Sequence, residues 1–213
     1  MHKYILSIIG ILIFAISSYA QMSAEEALSI IEENGLVVRV SSYKTQIDTL
    51  ESLIHSDKVS SSRKESLSLR LSELKSEYSR KTRMMMAYFD SYFDYCEVHF
   101  VPDYMFKEIV NGKRGEIFLN KDLELVGKES NLTQNFVFAS FPYNKFRPLK
   151  IRHSKYLEEY NAYASILPPF PTISKASDIL RIFRSLNKKE DINLTKTIKG
   201  LNDKLHQLKR ELR

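Results

Sequence analysis

The chain has 213 residues, 43% of them hydrophobic and 11% aromatic, and a formal net charge of +6. That apolar content supports a sizeable core and excludes wholesale disorder. A single cysteine, Cys96, excludes an intramolecular disulfide. Six glycines form neither a Walker loop nor a dinucleotide-type pattern.

Met1-His2-Lys3 is a short basic head, and Ile5 to Ile16 is an apolar run broken only by Ser7 and Gly10. Ser18-Tyr19-Ala20 places small residues at the −3 and −1 positions before Gln21, the pattern of a secretory signal peptide. The run is shorter than the roughly 20 residues of a bilayer span, so no transmembrane segment is expected after cleavage. A large, nearly cysteine-free exported chain rich in Lys, Ile, Asn, Tyr and Phe reads as bacterial, periplasmic or secreted.

Ser23-Ala24-Glu25-Glu26 has the form of a capping box and starts a helix that Asn34-Gly35 ends. Leu36 to Val40 (LVVRV) is a β-branched run that predicts a strand. Tyr43, Ile47, Leu50 and Ile54 give an amphipathic helix, followed by a polar break from His55 to Arg63. A longer helix carries Leu67, Leu71, Leu74, Tyr78, Met85, Tyr88, Tyr92 and Tyr95 on one heptad seam, with Lys81 its only charged member. The two helices are expected to fold back on each other as an antiparallel hairpin.

Fourteen of the 24 Tyr and Phe residues fall between Tyr88 and Phe146, which locates the main core. Val98 to Val101, Gly115 to Leu119, Leu123 to Val126 and Asn135 to Phe141 read as strands, and Asp103 to Val110 as a short helix. Ser154 to Ile166 reads as one more helix. Pro168, Pro169 and Pro171 form a stiff joint, and Ser174 caps a helix through Leu186. Leu194, Ile198, Leu201, Leu205, Leu208 and Leu212 then follow a 4-3-4-3-4 spacing, a seam too short to stand alone.

The expected fold is α/β: a mixed sheet with flanking helices, an N-terminal helical hairpin and a C-terminal basic helical extension. The expected divisions are a signal peptide at 1–20, helix, strand and hairpin at 21–95, an aromatic-rich α/β core at 96–167 and the extension at 174–213. Charge is uneven across them. Ser174 to Arg213 holds 11 Lys and Arg against 5 Asp and Glu, whereas Gln21 to Ile173 holds 20 against 21.

Candidate chemistry is sparse. Cys96 and His99 could form a thiolate–imidazole pair, but a spacing of three on a strand sends them to opposite faces, and His153 would have to approach from elsewhere. Asp90 and Asp94 lie one helical turn apart, where paired carboxylates could serve acid–base chemistry or a cation. They also suit a solvated helix face. Met84, Met85 and Met86 point about 100° apart on a helix and do not converge. His55, His99, His153 and His206 lack metal-ligand spacing. No cofactor or metal is expected.

The order LVVRV, a helical insert, Phe93-Asp94-Tyr95-Cys96 leading into VHFV, and then GEIFLN resembles an uncharacterised group of exported bacterial proteins over Leu36 to Phe141. The resemblance implies export and an α/β core, and brings no catalytic residue with it.

Three functional classes follow. The first is a non-enzymatic interaction protein of the bacterial envelope. Its C-terminal seam and positive charge would meet an envelope protein, an anionic surface or a second copy of the chain; the body itself could also cover that seam. The second is a thioredoxin-like binding domain without a C-x-x-C, which requires the proline segment beside Cys96. The third is an enzyme using Asp90, Asp94, Cys96 or His99. Export argues against a nucleic-acid partner.

Overall fold

The computed structural model describes residues 21–113, 115–127, 135–140, 150–157, 162–171 and 190–212. The signal peptide expected at 1–20 and the helix expected from Ser174 to Leu186 lie outside the described residues.

The elements begin with β1 (Gln21–Met22) and α1 (Ala24–Asn34). The Ser23 hydroxyl accepts a hydrogen bond from the Glu26 amide at 3.1 Å, the cap its sequence announces. Gly35 closes the helix with φ at +76°. A Cβ there would lie 2.6 Å from the Glu97 carbonyl oxygen, so both conformation and space demand glycine. Next come β2 (Leu36–Val40), α2 (Lys44–His55) and α3 (Ser61–Tyr92). The two helices form the expected hairpin, tied by an ion pair from Lys75 to Glu51 at 2.7 Å. Lys81 sits on the apolar seam because its ammonium donates to Glu77 at 2.6 Å.

The chain returns through β3 (Val98–Pro102), a 3₁₀ turn at Asp103–Met105, α4 (Phe106–Val110) and the antiparallel pair β4 (Glu116–Leu119) and β5 (Leu125–Gly127). It continues with β6 (Val137–Ser140), β7 (Lys150–His153), β8 (Tyr156–Leu157), β9 (Ala162–Tyr163) and β10 (Ser165–Ile166). The last described helix is α5 (Glu190–Glu211).

The main sheet has the order β3-β2-β6-β7. β2 runs parallel to both neighbours, and β7 is antiparallel to β6. The fold is therefore mixed α/β, with α2 and α3 inserted in the crossover between the parallel neighbours β2 and β3. Alternation along the strands separates two cores. Leu36, Val38, Val137, Ala139, Phe100 and Ile151 face a layer built from α1, the C-terminal half of α3 and α5. Val37, Val101 and Phe138 face a smaller, aromatic layer from α4 and the β4–β5 pair, where Phe106 lies 4.7 Å from Phe138 between ring centres.

One expectation needs correction. Ser154–Ile166 is not a helix: its described parts are the short strands β8, β9 and β10. Ala164 and Ile166 are buried while Ser165 is exposed, a two-residue period. Backbone bonds from His153 to Ala164 and from Leu167 to Met22 hold the segment as an added edge. Unpaired edge groups select an extended chain here over local helix propensity.

Residues from Met22 to Leu208 share one hydrophobic cluster, so α5 packs on the body, one of the covers left open for its seam. Among the described residues no helix is long and apolar enough to cross a membrane.

Candidate functional site

The residues singled out for chemistry are dispersed. Cys96 precedes β3, and its half-buried thiol packs with the helix-covered core. Burial pushes its pKa up to about 12, which leaves almost no thiolate at neutral pH. His99 lies on the other face of the sheet, against Phe118, with Nε2 3.2 Å from the Asn34 carbonyl oxygen. His153 is on the opposite edge strand and on the helix-covered face, paired with Val137. The Lys155 amide donates to His153 Nδ1 at 3.2 Å, which places the ring proton on Nε2. That buried nitrogen has no hydrogen-bond partner among the described residues.

The carboxylates do not converge either. Asp90 pairs with Lys121 at 3.0 Å. Asp94 lies beyond the end of α3, so it is not on a helix face with Asp90. It accepts from Asn202 at 2.9 Å and sits 2.9 Å from His206 Nε2, and these bonds, His206 first, hold its carboxyl below the usual range. Among the described residues no group of three His, Cys, Asp or Glu is placed to hold a metal ion.

The C-terminal seam meets its own body. Ile198, Leu201 and Leu205 are fully buried and Leu208 nearly so, whereas Leu194 is half-buried and Leu212 is 37% exposed. Of the covers left open for this seam, its own body takes most of it, because an apolar stripe next to a helix of matching pattern is buried first. Polar contacts fix it there. Asn202 Oδ1 accepts from the Asp94 and Tyr95 amides at 3.1 Å each, and Lys209 pairs with Glu32 at 2.7 Å. The Lys199 ammonium lies 4.4 Å from the ring centre of Tyr92. Part of the tail's positive charge is therefore engaged by the body.

A different group of cations gathers at the sheet. The register sets Arg39 opposite Ser140, and Ser140 opposite Lys150. All three project from the aromatic-layer face, as the Arg39 guanidinium 5.2 Å above the Phe106 ring shows. Two strand spacings place the Arg39 and Lys150 Cα atoms roughly 10 Å apart. Arg152, opposite Phe138, shares that face. Arg39, Lys150 and Arg152 make no ion pair with any described acidic residue, and Arg39 and Arg152 are half-buried.

The row lies at the carboxyl ends of β2 and β6. The chain leaves β2 for the β3 side and leaves β6 for the β7 side. In open α/β sheets such a divergence opens the crevice where ligands bind. On the β3 side of Arg39 a cavity of about 370 Å³ is lined by Arg39, Tyr43, Lys44, Thr45, Gln46, Asp103 and Tyr104. Tyr43 adopts a left-handed conformation with φ 55° and gives α2 no side-chain cap. Asp103 is turned to Ser42, whose amide and hydroxyl both donate to it. The Lys44 ammonium is held by Asp48 at 2.8 Å. Among the described residues Arg39 is the cation lining the cavity without such a partner.

No known family, curated protein or solved structure matches the chain.

The row escapes a reading based on charge totals, because the body sums to near neutrality. A finer signal is present: from Ser130 to Leu157 there is no Asp or Glu, while Lys145, Arg147, Lys150, Arg152 and Lys155 fall within the stretch. Arg39 is invisible to that count, since strand pairing brings it there from about a hundred residues away.

Proposed function

We propose that this is an exported protein of the bacterial envelope that works by binding an anionic partner rather than by catalysis. The observation that carries the reading is the row of Arg39, Ser140 and Lys150 with Arg152 beside it. Like charges gathered on one sheet face repel one another and oppose folding. A bound anion relieves that repulsion, and its attraction reaches well beyond contact distance.

Export rests on the Met1–Ala20 pattern and on the resemblance over Leu36 to Phe141. The separation of Cys96, His99 and His153 across two faces and two edges favours binding over catalysis. The thioredoxin-like alternative draws no support from the strand order. Its proline segment follows β10, which packs by β7, at the edge opposite Cys96.

The test is salt-dependent retention on a polyanionic phosphocellulose matrix. Two triple variants each remove three positive charges: Arg39→Gln/Lys150→Gln/Arg152→Gln in the row, and Lys196→Gln/Lys204→Gln/Arg210→Gln on α5. The row variant should elute at clearly lower salt than the α5 variant. Equal elution would reduce the effect to net charge and overturn the site. For the compartment, the envelope fraction of the native host should contain a chain starting at Gln21; a cytosolic chain starting at Met1 overturns export.

A further inference from the structure

We infer that Arg39, which belongs to the row and also lines the cavity, is the centre of a phosphomonoester site, with Ser140 and Lys150 on its β6 side and the cavity on its β3 side. The inference rests on the anion-binding reading and names its ligand. Three observations select the class. The first is charge. Arg39, Lys150 and Arg152 are cations on one face with no acidic partner among the described residues, so a singly charged carboxylate would leave most of that charge uncompensated. A phosphomonoester brings about −1.5 to −2 at neutral pH and three acceptor oxygens.

The second observation is donor geometry. Arg39 presents a planar fork suited to bidentate contact with phosphate, and Phe106 beneath it limits how it can turn. Ser140 sets a hydroxyl between the two cationic strands, where it can donate to an oxygen bridging them. Across the cavity stands the first turn of α2. Its Thr45 and Gln46 amides are uncapped by Tyr43, and donors at a helix start complement an anion already attracted by the arginine.

The third is size. About 370 Å³ falls within the range of small-molecule sites and is too small for a folded partner, so the ligand enters as a small molecule or as a headgroup. Of the two acidic groups nearby, Asp48 is paired with Lys44, and Asp103, which keeps its charge, is held by the Ser42 amide and hydroxyl; the three cations of the row outnumber it.

Glycerol 3-phosphate serves as the free probe, and vesicles of phosphatidylcholine with or without phosphatidic acid carry the same group on a lipid. Titration of the purified protein, followed by calorimetry or amide shifts, should show saturable binding of glycerol 3-phosphate and much weaker binding of acetate at equal ionic strength. Arg39→Gln and Lys150→Gln should each weaken it roughly tenfold. Arg39→Lys should recover only part of the loss, and the α5 triple variant should bind as the native protein does. Lys150 is exposed on an edge strand, so its variant reports on the site even where Arg39→Gln disturbs packing. Binding to phosphatidic acid vesicles in addition to glycerol 3-phosphate would assign the lipid as a source; binding of glycerol 3-phosphate alone would assign a soluble one.

Vesicle binding without glycerol 3-phosphate binding overturns the site, since surface charge alone then suffices. So does acetate binding equal to phosphate, or a phosphate affinity unmoved by Lys150→Gln. If phosphocellulose retention still depends on the row while glycerol 3-phosphate fails to bind, this inference falls alone. If retention is also unmoved, the anion-binding reading falls with it.

Discussion

Two basic regions of this molecule look alike in composition and differ in what their cations touch. On α5, Lys209 is paired with Glu32 and Lys199 lies over Tyr92, while the apolar side of the helix is enclosed from Ile198 to Leu208. On the sheet, Arg39, Lys150 and Arg152 face one way with no described acid to meet them. The first arrangement is how a charged helix stays on its own body; the second is how a surface stays open to something else. Net charge does not distinguish them, but the partners of each cation do.

The strongest way to break the comparison is to cut into the α5 seam. Leu205→Ala should lower the unfolding free energy by about 2–5 kcal/mol, read from urea denaturation, because it empties a fully enclosed site. A change under about 0.5 kcal/mol would return the helix to the role of a docking tail.

Acid is the next lever, and it acts on the sheet. Burial lowers the pKa of both His99 and His153 from the ordinary 6.5. At His153 Glu26 opposes the shift and Lys155 adds to it. The unfolded chain then binds protons more readily than the folded one. The stability these neutral rings contribute is complete above about pH 6.5 and is lost as pH falls through their folded values. Urea midpoints at pH 7.5 and pH 5 should show that loss, reduced in His153→Gln. Equal midpoints in the native protein would rule it out.

Single charges sharpen the contrast last. Lys209→Ala removes a partly exposed pair and should cost no more than about 1 kcal/mol. Lys150→Gln should change stability by less than about 0.5 kcal/mol in either direction, since no ion pair is lost.

Much of the fold is legible wherever one local pattern dominates. Ser23 and Glu26 mark a helix start, Leu36 to Val40 a strand, and the spacings from Tyr43 to Ile54 and from Leu67 to Tyr78 a hairpin. Legibility fails where tertiary pairing decides. Ser154 to Ile166 carries residues a helix would accept, yet its described parts are extended, with β10 packed by the edge strand β7. Lys150 to His153 alternates only over four residues, too few to announce a strand. The site fails for a related reason. Arg39 and Lys150 become neighbours only through Ser140, and a strand order is not written in any single segment.

The hairpin of α2 and α3 has one further consequence. From Tyr78, which packs on the core, back to Ser61 the helix runs about 25 Å, and along that length its main companion is α2. Neither β2 nor β3 depends on how far the excursion travels before it turns at residues 56–60. Its reach is a free variable of the architecture. Adding seven residues to each helix would carry the turn about 10 Å outward while leaving the sheet in register, so the same scaffold can serve as a spacer of adjustable length.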